Sequence, residues 1–312
     1  MNKNIQRVIW VMITILLIVI HPVAAQNEVN DGGPSIDVQP VPNPKLEIFA
    51  GAELLYRDIY FNKLFEAVVN ITPGVKWNIG NDWQLAGQVI VPVYNDYGGR
   101  YKKVRLNMAV LSKEIYFGGN QFLKVSGGLF GMERYGLDVK WMFPVNRWLA
   151  FDAQLGLTGF CSMAVDWEAS EMTRVTGWAG ARVYIPKVNT EFRLRGGRYL
   201  YEDYGVKFEA MRHFKHCTVG AWAQYNDIDH ENAGFKIVMM IPPYKRRARK
   251  VQFRPASNFR LTHNFKSQAY SMKMYTTDPE ENEREGDFNR TKLNWGANTM
   301  VPDFQLKEGG KR

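Results

Sequence analysis

The feature that most constrains this chain is a period-two alternation of apolar and polar residues that keeps returning along its length. From Glu191 to Arg195 charges fall on one side and apolar groups on the other, and Val206, Phe208 and Ala210 then alternate against Lys207, Glu209 and Met211. Val219, Ala221, Ala223 and Tyr225 stand against Thr218, Gly220, Trp222 and Gln224, and Phe235, Ile237, Met239 and Ile241 against Lys236. The same pattern sets Tyr135, Leu137, Val139, Trp141 and Phe143 against Asp138 and Lys140, and Phe151, Ala153, Leu155 and Leu157 against Asp152, Gln154 and Thr158. Such alternation marks strands with one oily and one wet face; a helix would repeat every three to four residues.

Two kinds of break interrupt the strands. Tight ones fall at Gly80-Asn81-Asp82, Gly118-Gly119-Asn120, Pro144-Val145-Asn146, 186–189 and Lys215-His216; mostly longer, polar ones fall around 57–62, 95–103, 131–134, 161–172, 198–203 and 226–232. Tight and long breaks alternate strictly, which predicts about 12 strands with both chain ends on the tight-turn side, the layout of an outer-membrane barrel. Alternation alone also fits a soluble sandwich. The aromatic residues favour the barrel. Trp77 and Trp83, Phe117 and Phe122, Trp141 and Trp148, and Tyr184 and Phe192 flank the tight turns. Tyr56, Tyr94, Tyr101, Phe130, Tyr135, Phe160, Tyr199, Tyr204, Tyr225 and Phe235 gather near the loop ends. Two girdles of rings at the heights of the lipid headgroups are the expected arrangement. Pro73-Gly74 suits a bend or bulge rather than a regular ladder.

The segments outside the strands set the compartment. Lys3 and Arg7, an apolar run from Val8 to Ile20 and the small residues Val23-Ala24-Ala25 make residues 1–25 a secretory signal peptide. Residues 26–44, rich in Asn, Asp, Gly and Pro, read as a flexible leader, 45–242 as an all-β transmembrane antiparallel barrel, and 243–312 as a polar periplasmic tail. The expected location is the outer membrane of a Gram-negative bacterium, with outer-membrane lipid around the barrel. Cys161 and Cys217 fall at opposite strand ends, beyond disulfide reach, so both are expected as free thiols.

The candidate functional residues are basic and point inward: Arg105, Lys124, Lys140, Arg182, Arg193, Arg195, Lys207 and Lys236, opposed by Asp138, Asp152, Glu191 and Glu209. An excess of positive charge on a narrow, low-dielectric wall attracts an anionic polysaccharide or lipid headgroup. The competing reading pairs these groups across strands and fills the interior with salt bridges. In the tail, Lys245, Arg246, Arg247, Arg249 and Lys250 form a basic run suited to anionic headgroups or to a periplasmic or lipoprotein partner, and Asp278 to Asp287 form an acidic one. Phe259 to Phe265 and Ala269 to Tyr275 suggest a small hairpin there. An enzyme would use the rim residues Glu202, Asp203, Asp227, Asp229, His230 and Glu231. Neighbours on one solvated loop rarely converge on a substrate, so no catalytic residue, cofactor or metal site is expected. His213 and His216 lack a third ligand, and no nucleic-acid motif is present.

Gly197-Arg198-Tyr199-Leu200, Asp203-Tyr204-Gly205, Phe208-Glu209 and Arg212-His213-Phe214 resemble a run in the YjbH/GfcD-like outer-membrane proteins of exopolysaccharide and capsule clusters. Val219-Gly220-Ala221-Trp222-Ala223, Gly234-Phe235-Lys236-Ile237 and Ile241-Pro242 continue the likeness. The resemblance implies a component of exopolysaccharide or capsule assembly or export. A general pore, a scaffold or adhesin barrel, and an outer-rim hydrolase or acyltransferase stand as alternatives.

Overall fold

The computed structural model describes residues 37–40, 45–57, 66–95, 102–117, 121–131, 133–145, 148–163, 166–185, 188, 190–213, 217–228, 230–239, 250–255, 259–264 and 304–307. The predicted signal peptide, the acidic run and most of the basic run lie outside them. Every element described is a strand: β1 (Asp37–Pro40), β2 (Leu46–Ala50), β3 (Ala52–Arg57), β4 (Glu66–Ile71), β5 (Gly74–Gly80), β6 (Trp83–Asn95) and β7 (Arg105–Tyr116). Then come β8 (Phe122–Phe130), β9 (Arg134–Pro144), β10 (Leu149–Ser162), the two-residue β11 (Glu168–Ala169), β12 (Arg174–Ile185) and β13 (Thr190–Arg198). The last are β14 (Tyr204–His213), β15 (Cys217–Asn226), β16 (His230–Met239), β17 (Val251–Pro255), β18 (Phe259–Asn264) and β19 (Phe304–Lys307).

Antiparallel ladders join neighbours in chain order from β6 to β10 and from β12 to β16, with β10 pairing β12 and β11 lying on the end of β10. β2 and β3 form one interrupted lane, and β4 and β5 form the next. The second lane breaks at Thr72-Pro73, the bend expected there. Proline has no N–H to give a ladder, but its carbonyl accepts from Val89 N at 2.9 Å. The tight turn after β5 uses Gly80, Asn81 and Asp82 at positive φ (117°, 51° and 63°), the backbone that two-residue hairpins require.

The twelve expected strands form, but one more lane follows them, and this corrects the expected tail. β18 pairs antiparallel with β16, while β17 pairs parallel with β2, so β17 and β18 run in the same sense as β2 and β3. Leu46 N donates to the carbonyl of the exposed Lys250 at 3.0 Å as this lane begins. Phe259–Asn264 therefore belongs to the sheet, and Ala269 to Tyr275, its expected hairpin partner, lies outside the described residues. The sheet extends past residue 242, and with an odd number of lanes among the described residues the last one runs from the tight-turn end toward the long-loop end, with Asn264 opposite Gly234 in β16. The leader also contributes structure, since β1 pairs antiparallel with β19.

The two faces of the sheet are inverted relative to a soluble protein. Exposed positions include Leu137, Phe151, Leu194, Val206, Phe208 and Val219, while Asp138, Asp152, Gln154, Thr158, Glu191 and Glu209 are buried. Among the described residues, buried polar side chains outnumber buried apolar ones. The girdle reading needs one correction. Trp77, Trp83, Tyr94, Trp148, Tyr204 and Tyr225 are exposed, but Phe122, Phe130, Tyr184 and Tyr199 turn to the buried face. Register decides this, because Phe122, Phe130 and Tyr184 share the parity of the polar residues on their own strands and Tyr199, just past β13, keeps the parity of Arg193 and Arg195. Both cysteines are free.

Candidate functional site: a charged network on the buried face

Ladder register assembles the site. Arg182 on β12 lies opposite Arg193 on β13, Arg193 opposite Glu209 on β14, and Glu209 opposite Trp222 on β15. Two arginines side by side would repel, and three carboxylates offset them. Arg182 holds Asp152 through two contacts, one of them Nε to Oδ2 at 2.5 Å, and its Nη1 stands 3.9 Å from Glu191. Arg193 Nε donates to Glu191 Oε1 at 2.5 Å. Glu209 gathers four cations: Lys207 at 3.2 Å, Lys236 at 3.3 Å, Arg195 at 3.9 Å and Arg193 at 4.0 Å.

One glycine makes the longest reach possible. Gly180 sits in register between Asp152 on β10 and Arg195 on β13. Arg195 lies across it to give Asp152 Oδ2 a bond of 2.9 Å, and a Cβ at 180 would stand 2.7 Å from the Arg195 Cγ. The same guanidinium covers the Trp178 ring at 4.0 Å, and the Lys207 ammonium stands 5.4 Å from the centre of Trp222.

All eight basic residues singled out in the sequence fall on this face. Arg182 and Arg193 are 2% and 3% exposed, Lys124 and Lys140 are also buried, and Arg105, Arg195, Lys207 and Lys236 are half-buried. The structure joins Arg182, Arg193, Arg195, Lys207 and Lys236 into one network. Lys124 stands apart with Glu114 at 3.7 Å, and Arg105 lies near the loop end, opposite Ile90. Of the tail cations only Lys250 is among the described residues. Sequence reasoning missed Trp178, Trp222 and Gln154 as members, although each shares the parity of the charged or buried polar residues on its own strand or the next in register.

Residues 94–241 match the model of the YjbH family, described as exopolysaccharide biosynthesis protein YbjH. This stretch is similar to the YjbH family. No curated protein matches the chain. The YjbH stretch runs from the end of β6 to just beyond β16 and contains every one of the eight basic residues, linking the network to a family of exopolysaccharide function. The lanes β2–β3, β4–β5 and β17–β18 flank it.

Three of the rim carboxylates in this stretch are engaged in holding its loops. Asp203, 1% exposed, accepts from Asn226 Nδ2 at 2.6 Å, and Asp227 Oδ1 accepts from Tyr204 N at 2.9 Å. Glu202, at φ 69°, stands 3.3 Å from Arg198 and 3.5 Å from Arg174. The His230 ring lies 6.1 Å from that of Tyr225. Asp229 lies outside the described residues.

Proposed function

We propose that this chain is an outer-membrane β-barrel component of exopolysaccharide or capsule assembly or export, with a net basic interior along which an anionic polysaccharide is handled. The inverted sheet carries this reading: apolar side chains stand on the exposed face and charges on the buried one, which suits lipid outside and polar groups within. Closure of the sheet is part of the proposal, supported by the β17–β18 lane, which pairs β16 on one side and β2 on the other. A barrel is the only sheet that can stand in hydrocarbon without bare edges. Delivery by the signal peptide, and contact of the basic run with headgroups or a periplasmic partner, belong to the same proposal.

The chain acts without catalysis of its own in this reading, in keeping with rim carboxylates that serve loop structure. A second reading, a scaffold with a filled interior, is favoured by the burial and mutual pairing of Arg182, Arg193, Asp152 and Glu191. A deletion strain stained for surface polysaccharide, with conductance of the purified protein in planar bilayers, tests both. Loss of surface polymer together with ion conductance supports the conduit. Loss of polymer without conductance supports the scaffold, and an unchanged polymer layer defeats the exopolysaccharide role.

A further inference from the structure

We propose that the buried face carries a subsite for a carboxylate-bearing sugar unit, centred on Lys140 and bounded by Lys124, Gln154 and Trp178. The proposal rests on the exopolysaccharide reading and narrows it. Register lays these residues side by side: Lys124 on β8 opposite Lys140 on β9, Lys140 opposite Gln154 on β10, Gln154 opposite Trp178 on β12, and Trp178 opposite Gly197 on β13. At about 4.8 Å between strands, the row from Lys124 to Trp178 is about 14 Å long.

Lys140 is the anomaly. It is 8% exposed, has no hydrogen bond or ion pair among the described residues, and faces another lysine across the ladder. The nearest carboxylate on its own strand and face, Asp138, instead accepts from Gln154 Nε2 at 2.6 Å. Lys124 has Glu114 at 3.7 Å. A largely buried ammonium without a paired carboxylate is costly, and a like charge opposite it adds to the cost. An incoming carboxylate would relieve both.

The rest of the row suits a sugar. Gln154 Oε1 accepts from Trp178 Nε1 at 2.7 Å, which fixes the indole, and the Arg195 guanidinium stands 4.0 Å from the ring centre. Trp178 is half-buried, and its neighbour Gly197 adds no side chain beside it. An acidic sugar unit placed between Lys140 and the Trp178–Arg195 pair meets cations on both sides and an aromatic wall. A neutral sugar leaves the Lys140 charge unanswered, so the site selects acidic units.

The test is calorimetric titration of the full mature chain in detergent micelles with oligogalacturonate, with a maltooligosaccharide of equal length and with sodium acetate. Wild type should bind oligogalacturonate and neither of the others comparably. K140Q should weaken binding at least tenfold while its unfolding midpoint stays level or rises, since the variant removes an uncompensated charge; W178F should also weaken binding. The subsite is refuted if wild type does not bind oligogalacturonate, if K140Q binds as wild type does, if acetate or the neutral sugar binds as well, or if K140Q is markedly less stable. Complementing the deletion strain separates the two layers of the argument. If deletion abolishes surface polymer yet K140Q restores it and binds normally, the subsite fails and the exopolysaccharide role stands. If deletion leaves the polymer intact, the role fails and the titration alone judges the subsite.

Discussion

Glu209→Gln probes the charged network at its centre. The carboxylate is 3% exposed and has four cations between 3.2 and 4.0 Å. At an effective dielectric constant of about 20, each contact has a gross attraction of about 4–5 kcal/mol. Desolvation of the buried ions cancels much of that sum, and removing one partner of such a network costs about 3–5 kcal/mol net, chiefly through the cations left behind. The variant should lose that much stability in urea unfolding followed by tryptophan fluorescence in detergent. Adding Lys207→Gln should recover part of the loss by removing one stranded charge. A loss below about 1 kcal/mol, the range of solvent-exposed pairs, would refute the reasoning, because water would then be screening Glu209.

Two further substitutions test the faces and the ladders. Leu194, 53% exposed in the middle of β13, should cost about 2–4 kcal/mol when replaced by Arg if it meets lipid; folding into lipid vesicles measures this, and a neutral result counts against the membrane. Gly136 has φ +150°, and a Cβ there would stand 2.0 Å from the Leu157 carbonyl oxygen. Gly136→Ala should therefore lose about 1–3 kcal/mol through backbone strain, read as a lower urea midpoint.

The strand faces were legible because alternation is a local signal: Phe151 against Asp152, or Leu137 against Asp138, needs no knowledge of the neighbouring strand. What lies across from a residue is not local. Nothing near Asp152 in the sequence indicates that Arg195, 43 positions later, crosses Gly180 to reach it. The consequence reaches back to an experiment the sequence suggests, replacement of Arg193 and Arg195 by Gln to reduce surface polymer. With Arg193 buried against Glu191, that change perturbs folding and polymer handling together. The final lane was obscured differently. Pro242-Pro243 and a dense basic run look like a stop, and Val251–Pro255 and Phe259–Asn264 are each too short to stand as strands until β2 and β16 supply partners.

The parallel pairing of β17 with β2 has an implication for assembly. Most other lanes meet a partner just around a turn, whereas Leu46 meets Val251, 205 positions later. Chain entropy penalises that distance only logarithmically, but the order of events is imposed by what the waiting edge lacks. Until Val251–Pro255 arrives, Leu46–Ala50 has a row of N–H and C=O groups with no answer on one side, a state hydrocarbon would not tolerate. If the sheet stands in a membrane, the cell that inserts it has to shelter β2 until β17 has been delivered.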